Sequence, residues 1–442
     1  MKKQNKVLVI GGGLAGCESA YQLANRGVEV DLIDIKPSKF TSAHKNPNFA
    51  ELVCSNSLKS KNLDTASGLL KAELELLDSL IIKTAHKHAV EAGGALAVDR
   101  DKFSREVTYI IRSTKNINIV CQEQKDININ IPTIIATGPL TTDDLADSLK
   151  KLISQDYLYF FDAASPIVTA ESIDYNSAFW GSRYQKGGDD YLNCPMTKQE
   201  YELFYNELIN AKTVQLKSFE GKEVFEGCIP IEIMAKRGID TLRFGPLRPV
   251  GLKDDMGKRP YAVVQLRAEN REKTLFNLVG FQTNLTFPEQ ARVFSLIPAL
   301  KSAQFVRYGV MHRNTFINAP NCVNEFFQLK NYPNIFIAGQ LSGVEGYVES
   351  VCSGLIAGVN MYKYINGVSM TKVPQETMTG ALINYITTPN VNFQPMNANF
   401  GILPPLKERI KDKRARFNQY SQRALAKMCE FCQDCDINDK IS

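Results

Sequence analysis

The chain has 442 residues, of which 44% are hydrophobic and 22% are charged, and its formal net charge is +5. A chain of this length is expected to hold two or three domains with a sizeable core, and its apolar fraction excludes wholesale disorder. No apolar run approaches the roughly 18 residues that a membrane-spanning helix needs, and the apolar stretch at residues 7–10 is too short for a signal peptide. We therefore expect a cytoplasmic protein with no membrane association, whose ten cysteines are mostly free thiols.

The chain begins with a predicted strand–helix–strand unit, whose elements cover residues 7–10, 14–26 and 28–35. The unit contains a G-x-G-x-x-G motif and an acid eighteen positions after its last glycine: Gly11, Gly13, Gly16 and Asp34. In such a motif the first glycine allows the turn, the second lets the backbone approach a pyrophosphate, and the third packs the helix against the strand. The acid accepts hydrogen bonds from a ribose, so the unit predicts a Rossmann-like dinucleotide-binding fold.

Two later segments favour FAD over NAD as the dinucleotide. Residues 132–138 (PTIIATG) and 333–343 (PNIFIAGQLSG) are short apolar strands that end in small residues and glycine. Flavoproteins of the two-dinucleotide-fold type carry such strands, often with Gly-Asp at the last one, where this chain has Gly-Gln. Each strand alone could be only sheet core, but together they add four candidate FAD contacts: Thr137, Gly138, Gly339 and Gln340.

The middle of the chain predicts a second, inserted domain. Helices are predicted at residues 69–80, where leucines recur at helical spacing, and at the strongly basic residues 407–416. Residues 190–325 are interrupted by proline, glycine and charge, and they contain strand-like runs. We therefore predict an α/β fold with two domains. A Rossmann-like FAD-binding domain, residues 1–190 plus 326–442, is interrupted by an α+β domain for substrate or RNA at residues 191–325.

Longer strings are distributed over the whole chain, among them FAELVCSNSLKS (49–60), FEGCIPIEIMAKRG (225–238), GQLSGVEGYVES (339–350) and NFQPMNANFG (392–401). They resemble the bacterial folate- and FAD-dependent tRNA uracil-5 methyltransferases, from about residue 6 to about residue 425. The resemblance implies an RNA-modifying enzyme that forms 5-methyluridine. Methylenetetrahydrofolate would donate the carbon, reduced FAD would act as methylene carrier and reductant, and NADPH or NADH would supply electrons.

Two cysteines match strings of this family and are candidates for the chemistry at the base. The resemblance implies that Cys228 adds to carbon 6 of uracil, which makes carbon 5 nucleophilic, and that Cys54 removes the carbon 5 proton or guards the nucleophile. The residues alone leave the roles open, because each cysteine can equally be a small buried hydrophobe. Cys54 precedes Ser-Asn-Ser, a sequence that suits a turn or helix cap, where thiol pKa values tend to fall.

Two basic segments are candidate contacts for RNA, and the residues assigned to them are Lys236, Arg237, Arg243, Lys407, Arg409 and Lys411. A charged run is more often only a solvated helix face, so this prediction depends on the resemblance. Asn314, within another matching string, is the candidate folate contact. Departures from the family pattern at Lys45, Asn284 and Phe287 leave two targets open. These are the tRNA T-loop, which is slightly favoured, and a uridine of 23S ribosomal RNA.

Two further interpretations are weighed against the enzyme. A flavin- and RNA-binding scaffold without catalysis is disfavoured because both candidate cysteines are present, and a flavin disulfide reductase would need a C-x-x-C or C-x4-C near the flavin. Cys429, Cys432 and Cys435 have C-x-x-C-x-x-C spacing near the C-terminus. No fourth ligand is evident beside them in the sequence, so no metal site is predicted.

Overall fold

The structure, a computed structural model, describes residues 6–41, 43–154, 158–163, 165–185, 188–214, 229–253, 257–270, 272–309, 311–390 and 393–434. Its helices are α1 (Leu14–Ala24), α2 (Ala66–Leu76), α3 (Leu80–Lys87), α4 (Arg100–Ser113), α5 (Asp143–Ile153), α6 (Lys198–Asn210), α7 (Ile231–Ala235), α8 (Thr241–Phe244), α9 (Phe287–Phe294), α10 (Ala319–Cys322), α11 (Tyr347–Ile365), α12 (Met378–Thr387) and α13 (Lys413–Asp434). Its strands are β1 (Lys6–Ile10), β2 (Glu29–Asp34), β3 (Ser57–Ser60), β4 (Ala89–Val90), β5 (Ala95–Val98), β6 (Ile117–Cys121), β7 (Thr133–Ile135), β8 (Leu158–Ala163), β9 (Ile167–Thr169), β10 (Phe179–Trp180), β11 (Tyr191–Met196), β12 (Ala262–Ala268), β13 (Leu275–Leu278), β14 (Phe305–Arg307), β15 (Met311–Phe316) and β16 (Ile335–Ile337).

A parallel sheet of five strands forms the first layer, in the order β16-β7-β1-β2-β6. β1 lies at its centre, and the side chains of Val7 and Val9 are fully buried there. Burial on both faces is typical of parallel strands, because the crossover helices cover the sheet. The predicted first unit is confirmed as β1, α1 and β2, and the two later apolar strings form the adjacent strands β7 and β16. The predicted Rossmann-like α/β class is therefore confirmed.

Helices α1 and α11 pack closely against each other beside this sheet. A Cβ atom on Gly354 would lie 2.3 Å from the carbonyl oxygen of Ala15, so α11 can approach α1 only with glycine at that position. The hydroxyl of Ser19 donates to the carbonyl oxygen of Gly354 at 2.7 Å. This contact joins the middle of α1 to the middle of α11.

The strands of a second sheet are all antiparallel to their neighbours, in the order β10-β11-β12-β13-β9-β14. It has its own core, in which Phe204, Phe276 and Phe281 are fully buried. β9 and β10 precede residue 191, yet they belong to this sheet because β9 pairs with β13 and β14 from later in the chain. All strands of the second sheet therefore lie between β8 and β15 in the sequence. The division of the chain into two domains stays a prediction.

Two predicted helices differ from the structure. The predicted helix at residues 69–80 is two helices, because Asp78 adopts φ of 62° and the Ser79 hydroxyl caps α3 by accepting from the N–H of Ile82. The predicted basic helix at residues 407–416 begins only at Lys413. The carboxylate of Asp412 accepts from the N–H of Ala415 at 2.7 Å, which fixes the helix start there. Within the described ranges, no helix is long and apolar enough to cross a membrane.

Candidate active site

A cleft opens where β1, β2, β7 and β16 end, at the carboxyl edge of the parallel sheet. This is the edge at which open α/β sheets bind ligands. Seven of the eight predicted FAD contacts line it: Gly11, Gly13, Asp34, Thr137, Gly138, Gly339 and Gln340. The eighth, Gly16, lies behind the cleft on α1. Four segments that are far apart in the sequence therefore meet at one place.

The three glycines of the motif have different geometric reasons to be glycine. Gly11 has φ of +106°, and a Cβ atom there would lie 2.5 Å from the carbonyl oxygen of Ala136. A Cβ atom on Gly16 would lie 1.8 Å from the carbonyl oxygen of Gly11, so this glycine lets α1 pack against the turn. At Gly13 a Cβ atom would meet nothing within 4 Å, and no side chain caps α1 there. Gly13 therefore leaves the start of α1 open to a phosphate in the cleft.

Asp34 is held in place by the backbone around it. Its carboxylate accepts from the N–H of Gly12 at 2.6 Å and from the N–H of Lys36 at 2.8 Å. Each oxygen keeps further lone pairs for a ribose hydroxyl. The part of the cleft that follows β16 is held by α11, where the Ser353 hydroxyl accepts from the N–H of Gly339 at 2.7 Å. A glycine cradle, an open helix start and an oriented acid together fit the FAD that the sequence predicts.

The loop that carries Cys54 reaches the same cleft through Tyr347, the first residue of α11. The Tyr347 hydroxyl accepts from the N–H of Cys54 at 2.7 Å and from the N–H of Ser55 at 3.1 Å. Tyr347, Glu51 and Val53 all line the cleft. Burial, and after it the charge of a Cys54 thiolate, raises the pKa of Tyr347 above its ordinary value. The phenol therefore stays protonated and keeps its own proton as a donor.

Two arginines, Arg100 and Arg267, also hold this loop in place. Arg100 donates to the carbonyl oxygen of Leu52 at 2.8 Å and pairs with Glu269, with Nε to Oε2 at 2.6 Å. Arg267 donates to the hydroxyl of Ser55 at 2.7 Å and to the side-chain oxygen of Asn56 at 2.9 Å. Sequence reasoning missed both arginines. The only signal available was their position in the strings AGGALAVDR and RPYAVVQLR, each of which ends in an arginine.

A third arginine, Arg307 on β14, adds to the positive charge around the cysteine. Burial, followed by repulsion from Arg100, lowers the pKa of Arg307, whereas the charge of a Cys54 thiolate opposes the shift. Burial also lowers the pKa of Arg267, which Glu269 partly offsets. Three arginines, Arg100, Arg267 and Arg307, therefore lie around the loop that carries Cys54.

The remaining predicted site residues are distributed as follows. Cys228 lies outside the described residues. Asn314 is on β15, opposite Phe160 of β8, and β15 packs against the backbone of residues 138–140 and 339–342 at the cleft. Cys429 is exposed and Cys432 half-buried on α13, while Cys435 is outside the described ranges. Among the residues that the structure describes, no group of His, Cys, Asp and Glu is placed to hold a metal ion.

The candidate RNA residues fall into two sets with different availability. Lys236 and Arg237 are exposed after α7, and Lys407, Arg409 and Lys411 are exposed before α13. Arg243 is half-buried and already has partners within the protein, because it pairs with Asp240 at 2.6 Å and donates to the carbonyl oxygen of Tyr261 at 3.1 Å. Its guanidinium also lies 3.6 Å from the centroid of the Tyr261 ring. The guanidinium of Arg243 is therefore less available for contact with RNA than the side chains of Lys236 and Arg237.

Comparisons with known proteins agree with this geometry. A model of the family "Glucose inhibited division protein A" matches residues 6–369. The methylenetetrahydrofolate–tRNA-(uracil-5-)-methyltransferase TrmFO of Natranaerobius thermophilus is 57% identical over 430 residues, which cover 97% of this chain and 99% of that protein. The protein of the same name from Aquifex aeolicus is 54% identical over 435 residues, which cover 98% of both. The solved structure of Aquifex aeolicus GidA in the form II crystal has a TM-score of 0.71 at 15% identity, covering 98% of this chain and 73% of that one, and shows the fold.

Proposed function

The chain belongs to the family of methylenetetrahydrofolate–tRNA-(uracil-5-)-methyltransferases, and we propose that it methylates carbon 5 of a uridine in tRNA at the cleft described above. It is an enzyme that uses methylenetetrahydrofolate and FAD. The observation that carries the proposal is the contact of Tyr347 with the backbone of Cys54, since it joins the dinucleotide cleft to a candidate thiol.

The residues at the end of the parallel sheet would hold FAD. The turn at Gly11 and the open start of α1 at Gly13 would hold the pyrophosphate, and the Asp34 carboxylate would accept a hydrogen bond from a ribose hydroxyl. Thr137, Gly138, Gly339 and Gln340 present backbone and side-chain groups from β7 and β16. When bound, FAD supplies redox chemistry and carries the one-carbon unit.

Carbon 5 of uracil is a weak nucleophile, and the two thiols are proposed to activate it. The Cys228 thiolate forms a bond to carbon 6, and the electron pair of the 5,6 double bond moves toward carbon 5 and the carbonyl oxygen at carbon 4. Carbon 5 then forms a bond to the one-carbon unit, as the bond between that unit and the nitrogen of its donor breaks. A base removes the proton at carbon 5, and the bond from sulfur to carbon 6 breaks to restore the ring. Cys54 is proposed as that base, with the two roles carried over from the family resemblance.

The arginines hold the loop that carries Cys54 in position. Arg267 holds the Ser55 and Asn56 side chains, while Arg100 holds the Leu52 carbonyl, so the loop is fixed on both sides of the cysteine. A fixed loop also keeps the Cys54 sulfur near a uracil in the cleft. Such orientation lowers the activation barrier of a proton transfer.

Reduction of the transferred carbon to a methyl group consumes two electrons, and we propose NADPH or NADH as their source. The chain would bind this cofactor as a cosubstrate. We propose the tRNA T-loop as the target, and 23S ribosomal RNA is the alternative substrate.

The test supplies purified protein with FAD, carbon-13-labelled methylenetetrahydrofolate, NADPH or NADH, and either unmodified tRNA or an unmodified 23S fragment. Mass spectrometry of the digested RNA should find labelled 5-methyluridine in tRNA. Cys228→Ala should lose this product yet keep bound FAD, whereas Cys121→Ala, at an exposed cysteine on β6, should retain activity. Labelled methyluridine in neither RNA refutes the proposed function, and full activity of Cys228→Ala refutes its role.

A further inference from the structure

A groove lies on the face of the protein where α13 crosses the start of α2 and the loop at residues 397–401. We call it the α13 groove, and its main lining residues are Lys59, Thr65, Asn399, Phe400, Arg416 and Phe417. It is separate from the dinucleotide cleft, and the two share no lining residue among those described.

Three aromatic rings form a stack along the α13 groove. The centroid of Phe400 lies 4.4 Å from that of Phe417, with 25° between the ring planes, and 5.9 Å from that of Tyr420, with 24° between the planes. All three side chains are only half-buried, so the stack is not sealed inside a core. Nearly parallel, partly accessible rings are the arrangement on which single-stranded nucleic acid bases stack.

Cations surround the rings. Lys413 and Arg416 lie 5.6 and 5.7 Å from the Phe417 centroid, and Arg423 lies 5.2 Å from the Tyr420 centroid. The segment that leads into α13 adds further exposed bases, and the local cations are Lys407, Arg409, Lys411, Lys413, Arg414 and Arg416. The local acids are Asp64, which pairs with Arg414 at 3.3 Å, and the exposed Glu408 and Asp412. The surface is therefore positive, which complements a polyanion.

The α13 groove adjoins the active cleft across the first turn of α11. Glu349 on that turn is buried, and its carboxylate accepts from Lys59 at 3.2 Å and from the N–H of Ala398 at 3.0 Å, both at the groove. Its neighbours Tyr347 and Ser350 line the cleft. The first turn of α11 therefore contacts both the cleft and the groove.

We propose that the α13 groove binds an unpaired nucleotide of the tRNA substrate, other than the target uridine, and thereby positions the target in the cleft. The base stacks on the ring stack, and the flanking phosphates lie among Lys413, Arg416 and the exposed bases before α13. Unpaired RNA fits better than duplex because an A-form helix does not present base faces to a protein. This inference rests on the proposed function, since it assigns a second contact for the same substrate.

The first test compares Phe417→Leu, which keeps apolar volume but removes the ring, with wild type and with Tyr175→Leu. Tyr175 is an exposed aromatic residue of the second layer, outside the cleft and the groove. Loss of one base stack should weaken tRNA binding by roughly 5- to 150-fold, whereas Tyr175→Leu should bind as wild type. FAD absorbance and the melting temperature of each variant are measured to show that the fold is retained.

The second test uses surface charge, which does not depend on ring packing. Lys413→Gln combined with Arg416→Gln should reduce the slope of log Kd against log salt by about 0.7 for each lost phosphate contact. A folded Phe417→Leu protein that binds tRNA as wild type, or an unchanged salt slope in the charge variant, overturns the inference. Neither result touches the proposed function, which fails only if the wild-type protein forms no methyluridine.

Discussion

The substitution Gly13→Ala separates the fold of the cleft from its ability to hold a dinucleotide. Gly13 has φ of −78° and ψ of −169°, which alanine adopts without strain, and its Cβ atom would meet no atom within 4 Å. Alanine is a poorer residue than glycine at a helix N-cap, so the free energy of unfolding of the FAD-free protein should fall by about 1 kcal/mol or less.

FAD binding should suffer far more than stability. If the pyrophosphate binds at the start of α1 as proposed, the new methyl group would occupy the space through which it approaches, and at least one backbone N–H bond to phosphate would be lost. A hydrogen bond to a charged group contributes roughly 1.5–3 kcal/mol, which corresponds to about 10- to 160-fold weaker FAD binding.

The matched control is Gly16→Ala, three residues along the same helix. Its Cβ atom would lie 1.8 Å from the carbonyl oxygen of Gly11, so α1 must move away from the turn. This variant should lose stability by about 1–3 kcal/mol or more and lose FAD affinity as well. The assays are urea unfolding of protein stripped of FAD and titration of that protein with FAD by fluorescence quenching. Wild-type FAD affinity in Gly13→Ala would refute the placement of the pyrophosphate at α1.

Three further predictions concern the thiol loop and the core. Cys54→Ala should stop labelled methyluridine formation while the protein still binds FAD and tRNA; retained turnover would exclude Cys54 as the base. Arg267→Leu should remove the charged hydrogen bonds to Ser55 and Asn56 and lower kcat at least 10-fold at saturating tRNA, whereas an unchanged kcat would show that the brace is not needed. Burial raises the pKa of Glu73 to about 7, against the opposing N–H groups at the start of α12, so the folded protein keeps a proton that the unfolded chain loses above its ordinary pKa of 4.5. Glu73 should therefore contribute a fall of about 3 kcal/mol in the free energy of unfolding between pH 4.5 and pH 7, at about 1.36 kcal/mol per pH unit. Because burial also raises the pKa values of Glu18 and Glu232, urea unfolding of Glu73→Gln should show a fall that is smaller than that of wild type by this amount, and an equal fall in both proteins would contradict the prediction.

Local sequence patterns predicted the dinucleotide half of the fold. β1, α1 and β2 follow one another within about thirty residues, and their hydrophobic periods and glycine spacing are readable without any distant contact. Because these patterns report only neighbours along the chain, two of the helix predictions were wrong. The leucine spacing across residues 69–80 continues through a turn, and the charge pattern of residues 407–412 does not reveal where a helix cap lies. The family, the fold class and the enzymatic activity were all available from long strings and are confirmed, while the roles assigned to single site residues stay predictions.

By itself, the sequence determined that this chain folds around a dinucleotide-binding unit and belongs to a family of RNA methyltransferases. Only the tertiary structure decided what surrounds the thiol. Tyr347 lies 293 positions from Cys54, and Arg267 lies 212 positions from Ser55, yet each forms a hydrogen bond to its partner. The structure likewise showed that Arg243 pairs with Asp240, and that the rings of α13 stack against Phe400. Periodicity and spacing report neighbours along one helix or strand, whereas these contacts arise where separate layers pack together, so no local pattern contains them.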